Sequence, residues 1–329
     1  MKATKATEDR LDEIRRQAAE SAQLAGRGNG APAPQIRGKG SYYGLPVLKA
    51  PVWTWEVPLY FFIGGVAGLS SCVGFIAHLF GNDPALVRDA LWIALIGAAL
   101  CPVFLIADLG RPARFLNMLR VAKIRSPMSV GAWVLVAFSG CAFVALLATE
   151  LMVRGYGNTL IADIGWAGEI TGAVTGLLLA AYTGVLIGAT ANPVWSQNRT
   201  VIPAHFLTGA LGSAAAALEL LGFLIPATQD LGLTAAGIET TLLIYFEFRR
   251  APVNAPLHHG KSGIAFRVAG TMAGPVSLCL RLVSHAAPMR MAAAICFLTG
   301  ALITRYAWIW AGRASVKDPE VLFQLQRKA

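Results

Sequence analysis

One loop of this 329-residue chain sets a carboxylate and two guanidinium groups at fixed spacing. It reads Ala107-Asp108-Leu109-Gly110-Arg111-Pro112-Ala113-Arg114-Phe115-Leu116-Asn117-Met118-Leu119-Arg120, then Ser126-Pro127-Met128-Ser129. Asp108 ends an apolar run, and Arg111 and Arg114 follow three and six residues on. A carboxylate at such an edge can exchange protons with water while an amphiphilic substrate stays in an apolar phase. That suits a two-electron, two-proton reaction, with the cations setting the field at the acid. A structural reading stands beside it: Asp108 caps the turn, and the arginines snorkel or bind lipid phosphates. The residues alone favour the structural reading.

Other reactive side chains are informative mainly by exclusion. The five cysteines (Cys72, Cys101, Cys141, Cys279 and Cys296) lie in apolar runs and form no CxxC, against a disulfide framework or a self-contained Cys-ligated cluster. Bis-histidine haem needs two imidazoles at matched depth on facing helices. His78, His205, His258, His259 and His285 offer no such pair, so neither haem nor an iron–sulfur cluster is expected in this chain. Glu150, Glu169, Glu219, Glu239 and Glu247 fall within or near apolar runs, where an ionisable group is costly and a functional candidate. Glu219 and Glu239 lie about 9 and 12 Å from the same end of adjacent segments, at about 1.5 Å per residue. They are expected as a proton path toward Asp108; the alternative is that each is protonated or paired with Arg267 or Arg305. Glu150 and Glu169 are near enough to an interface to be solvated.

These residues need elements to hold them, and composition says which. Hydrophobic residues make up 55% of the chain and charged ones 14%, against about 25% charged in a soluble domain; mean hydropathy is +0.56. A globule of this length cannot hide that much apolar surface, so bilayer-spanning helices are expected. Eight apolar segments are long enough: 57–80, 90–107, 129–153, 168–191, 201–225, 231–248, 264–283 and 289–312. The seventh is the weakest, with Arg267 near its start and Pro275 inside it. In the fourth, Gly168, Gly172, Gly176, Ala180, Gly184 and Gly188 recur every four residues, and Gly64 and Gly68 form a shorter GxxxG in the first. Both are expected as helix-packing seams. The fold class is thus an all-α integral membrane protein of eight transmembrane helices. Residues 1–52 form a polar extramembrane arm, 53–313 the transmembrane domain and 314–329 a tail.

The arm has no apolar run behind a basic start, so no secretory signal is expected. Its Gly/Pro/Ala stretch at 26–34 breaks regular structure, leaving a solvated or partner-binding arm. The net charge of +10 falls unevenly. With eight spans, 22 basic residues share one side with both termini and four (Arg88, Arg154, Arg281 and Arg290) lie on the other. The positive-inside rule then predicts cytoplasmic termini in a multi-pass inner membrane protein. Nucleic acid is not an expected partner. If the basic side is instead a docking surface, the orientation inverts.

The loop motif DLGRPARFLNMLR with SPMS closely resembles the signature of the polysulfide reductase/NrfD family of membrane subunits. Trp55-Glu56-Val57-Pro58-Leu59-Tyr60-Phe61-Phe62, with Gly64-Gly65-Val66-Ala67-Gly68, supports it, as does Asn192-Pro193-Val194-Trp195. The resemblance covers roughly residues 53–312. It implies two four-helix bundles, near 53–191 and 201–312, without haem, that bind menaquinone or ubiquinone in quinone or quinol form. It also implies electron exchange with a ferredoxin-like iron–sulfur subunit serving a catalytic, often molybdopterin, subunit. Carried over by position, Asp108 is the acid beside the quinone headgroup, and Arg111 and Arg114 are the basic pair. Tyr60 stands where some relatives have a histidine bonding a quinone carbonyl. Tyrosine can still donate that bond but carries protons poorly near neutral pH. Glu56 could supply an acid, His205 and Trp133 could reach the headgroup, and a satisfied interior position is the alternative for both. Two other classes stay open: a purely structural anchor, and a secondary transporter, which would show matched broken helices in two repeats.

Overall fold

The computed structural model describes residues 51, 53–81, 83–109, 119–120, 123 and 126–316. Most of the N-terminal arm, Arg111, Arg114 and the tail from residue 317 lie outside these residues. Eight helices among the described residues are long and apolar enough to cross a membrane. They are α1 (Glu56–Leu79), α2 (Pro84–Leu109), α3 (Pro127–Val153), α4 (Thr159–Gly188), α5 (Val201–Leu220), α6 (Pro226–Phe248), α7 (Gly260–Val283) and α8 (Ala287–Ser315). The helices outrun several of the expected segments at their polar ends. α4, for example, starts at Thr159, where the Asn158 side chain accepts a hydrogen bond from the Ile161 N–H, rather than at the first glycine of the seam. Hydropathy sees only the apolar middle of such a helix; its cap and solvated first turns are invisible to it.

α1 packs against α2 and α4, and α3 closes on both. α5 packs against α6 and α8, and α7 closes on both. The two sets meet through α1, α4, α5 and α8. The two glycine seams are where backbones touch. A Cβ on Gly68 would lie 2.2 Å from the Gly176 carbonyl oxygen, and one on Gly176 would lie 2.5 Å from that of Gly68. The α4 seam does not serve one partner, however. Gly168 faces Ala145 of α3, Gly172 faces Ser71 of α1, Gly184 faces Pro203 of α5, and Gly188 faces Arg199 in the connector. A four-residue repeat drifts around a 3.6-residue helix, so successive glycines meet successive neighbours.

α7 crosses the membrane despite Pro275. The chain widens to a π-helical turn over Met272–Val276, with Gly274 off helical geometry (ψ −105°), and then resumes as Ser277–Val283. The bulge absorbs the amide that proline lacks. It lies against α6, where a Cβ on Gly274 would be 2.9 Å from the Thr240 nitrogen.

Candidate functional site

At the end of α2, Asp108 is partly buried and faces the short extended segment that leads into α1. The Thr54 N–H donates to Asp108 Oδ1 at 3.4 Å, and the Thr54 hydroxyl lies 3.2 Å from the same oxygen. That hydroxyl also bonds the Glu56 carboxylate. The segment is fastened on both sides of Thr54. Trp53 stacks on Trp195, with centroids 5.3 Å apart and planes 14° apart, and the Tyr306 hydroxyl of α8 donates to the Trp55 carbonyl at 2.9 Å.

Among the described residues, Asp108 is the one carboxyl group lining a cavity of about 80 Å³ bounded by Trp53, Val57, Tyr60, Leu105, Met128 and Tyr182, among others. Sites that enclose a whole ligand run to several hundred Å³, so this one is too small to enclose such a ligand. Tyr60 is buried, and neither its hydroxyl nor that of Tyr182 has a hydrogen-bond partner among the described residues. Tyr182 packs so closely on α3 that a Cβ on Gly131 would lie 2.0 Å from its ring. Two tyrosines and one aspartate thus line a small, otherwise apolar space.

The structure places Asp108 and Tyr60 on one cavity and links Glu56 to Asp108 through Thr54. It does not bring in Trp133, which is 42% exposed on α3 while its neighbours Gly131 and Ala132 line the cavity. Nor does it bring in His205, which lies inside the second helix set. There His205 Nε2 is 2.9 Å from Glu239 Oε2, and the Trp308 indole N–H donates to His205 Nδ1 at 3.3 Å. An indole N–H can only donate, so Nδ1 accepts and the imidazole proton sits on Nε2, aimed at Glu239. Arg305 is buried close by, stacked on Phe206 and donating to the Phe206 carbonyl at 2.7 Å. Glu239 Oε1 and Arg305 Nε and Nη1 have no hydrogen-bond partner among the described residues, although the two side chains lie together beside Gly209. Arg111 and Arg114 lie outside the described residues.

Glu219 and Glu239, expected as a proton path toward Asp108, have different surroundings. Glu219 is fully buried between two arginines: Arg281 binds it through two bonds, at 2.8 and 2.6 Å, and Arg290 Nη2 donates at 2.7 Å. Arg290 also donates to the Leu224 and Ile225 carbonyls and to Thr228. Arg281 and Arg290 are thus interior residues, not the surface-turn residues that the charge count suggests. Arg267 pairs with Glu247, not with either of these glutamates. Near interfaces, Glu150 binds Arg88 and Trp92, and Glu169 binds His78.

Sequence reasoning misses Thr54 and Trp53, which lie in a segment with no periodicity. It assigns no role to Asn192-Pro193-Val194-Trp195. The short helix Pro193–Gln197 places Trp195 fully buried, donating to the Trp308 carbonyl at 2.8 Å, while Asn192 donates to the Gly312 carbonyl at 2.8 Å. The motif fastens the α4–α5 connection to α8 and gives Trp53 its stacking platform.

A family model described as polysulfide reductase matches residues 39–318, starting within the N-terminal arm. The C subunit of polysulfide reductase from Wolinella succinogenes is 29% identical over 190 residues, or 53% of this chain and 59% of that protein. The chain therefore spans less than two thirds of this curated relative.

Proposed function

Because the chain belongs to the polysulfide reductase family of multi-pass membrane proteins, we propose that it is the quinone-reactive membrane subunit of an oxidoreductase complex. In this reading it exchanges electrons with an iron–sulfur subunit that serves a catalytic, molybdopterin-type subunit. The observation that carries it is the Asp108 cavity, where one carboxyl group and two phenols meet in an apolar space at a helix end. A quinone accepts, or a quinol yields, two electrons and two protons there. Tyr60 orients the substrate by donating a hydrogen bond to a carbonyl oxygen. Asp108 gives a proton to that oxygen or takes one from it, and Arg111 and Arg114 set the field at the acid. The isoprenoid tail lies outside the cavity, among the helices and lipid. The two packed helix sets are read as the two four-helix bundles of such a subunit. Within the second, Glu239 with His205 is the proton-handling pair, since Glu219 is committed to its arginines.

The test is Asp108→Asn in the native complex. Turnover of a short-chain quinol is expected to fall on the order of 10²-fold or more, the usual scale for loss of a positioned acid or base. Unchanged turnover in a normally assembled complex would overturn the assignment. A purely structural anchor predicts that unchanged result, so the same measurement separates the two readings.

A further inference from the structure

The Thr54 hydroxyl carries one hydrogen and lies within bonding distance of two carboxyl groups, Glu56 and Asp108. One hydrogen can be donated to only one of them. Both contacts are hydrogen bonds only if the trio holds one carboxyl proton, either on Asp108 or on Glu56. In the first arrangement Asp108 donates to Thr54 Oγ1 and Thr54 donates to Glu56; in the second the directions are reversed.

We propose that Thr54 is a positioning residue through which a proton passes between Glu56 and Asp108. Resting on the quinone reading above, the step runs as follows. After Asp108 gives its proton to substrate, a proton taken from water by Glu56 moves to Thr54 Oγ1. The hydroxyl's own proton moves at the same time to Asp108 Oδ1. Asp108 is again protonated, Glu56 again ionised, and the threonine unchanged. Reversal of the same shifts serves quinol oxidation. The trio keeps its alignment because Trp53 and Trp55, on either side of Thr54, are fastened to the α4–α5 connection and to α8 respectively. The other described titratable groups beside the trio are phenols: Tyr60 and Tyr182 in the cavity and Tyr306 beside Trp55.

Thr54→Val keeps the shape of the side chain and removes the hydroxyl, while Thr54→Ser keeps the hydroxyl. In the native complex, short-chain quinol turnover is expected to fall on the order of 10²-fold in Thr54→Val, and Thr54→Ser should restore most of it. Glu56→Gln should lower turnover likewise. Infrared difference spectra of the full chain give a second readout. A protonated-carboxyl band lost in Asp108→Asn should shift in Thr54→Val and stay in place in Thr54→Ser, which a merely structural role would not produce. Wild-type turnover in Thr54→Val beside an inactive Asp108→Asn overturns the bridge and leaves the quinone reading standing. Equal loss in the valine and serine variants also overturns the bridge. Full turnover in Asp108→Asn overturns both.

Discussion

Tyr60 and Asp108 share a cavity but have separable tasks. In the proposed site Tyr60 donates one hydrogen bond to the substrate, so Tyr60→Phe should raise the quinol KM about fivefold, the effect of losing roughly 1 kcal/mol, with little change in kcat. Loss of Asp108 should act mainly on kcat. Steady-state kinetics on the native complex separates the two patterns, and a kcat loss in Tyr60→Phe would give the phenol a proton role. Asp108 stands out as a carboxylate followed by two spaced arginines at the end of an apolar run, but those residues alone favour a structural reading, and the proposed role comes from the family resemblance. Thr54 was not legible, since a single hydroxyl in an aperiodic segment gains meaning only when α1 and α2 set their ends together. His205 shows the converse. A histidine at the same end of the membrane as Asp108 can still belong to another helix set, and depth along a helix says nothing about which neighbour it faces.

At the scale of elements, the decisive contact is the crossing of α1 and α4. Gly176 and Gly68 place backbone against backbone, so Gly176→Ala should cost about 1–3 kcal/mol through overpacking. Gly140 on α3 has nothing within 4 Å of an added Cβ, and Gly140→Ala should be neutral. Thermal unfolding in detergent compares the two. Equal midpoints would show that the α1–α4 crossing yields without strain. The number of helices was readable from hydropathy because each span's apolar middle exceeds the bilayer requirement. Their ends were not, since caps such as Asn158 and paired charges such as Arg88 with Glu150 extend a helix past its apolar run. Pro275 weakened the seventh segment on paper, but a π turn and Gly274 accommodate it.

Across the whole molecule, Glu219 joins α5 to α7 and α8 through Arg281 and Arg290. Removing its charge leaves two buried guanidinium groups without a counter-ion, a loss of about 3–5 kcal/mol for such pairs. Glu219→Gln is therefore expected to lower the unfolding temperature sharply, whereas Glu239→Gln, which leaves one fewer buried charge and has one oxygen unpartnered, should lower it less. If the two variants unfold together, Glu219 is not the fastening point. The net charge was readable as a total, but the burial of Arg281 and Arg290 was not, because a sequence does not say which charges have partners. The strap of Trp53, Thr54 and Trp55 has an implication for biogenesis. The Tyr306 partner of the Trp55 carbonyl is 251 residues downstream. The Asp108 site therefore cannot be completed as its own helices leave the ribosome; it waits for the last one. Insertion of α8 becomes a checkpoint, so a chain ended before it would leave the site in the bilayer without its last fastening.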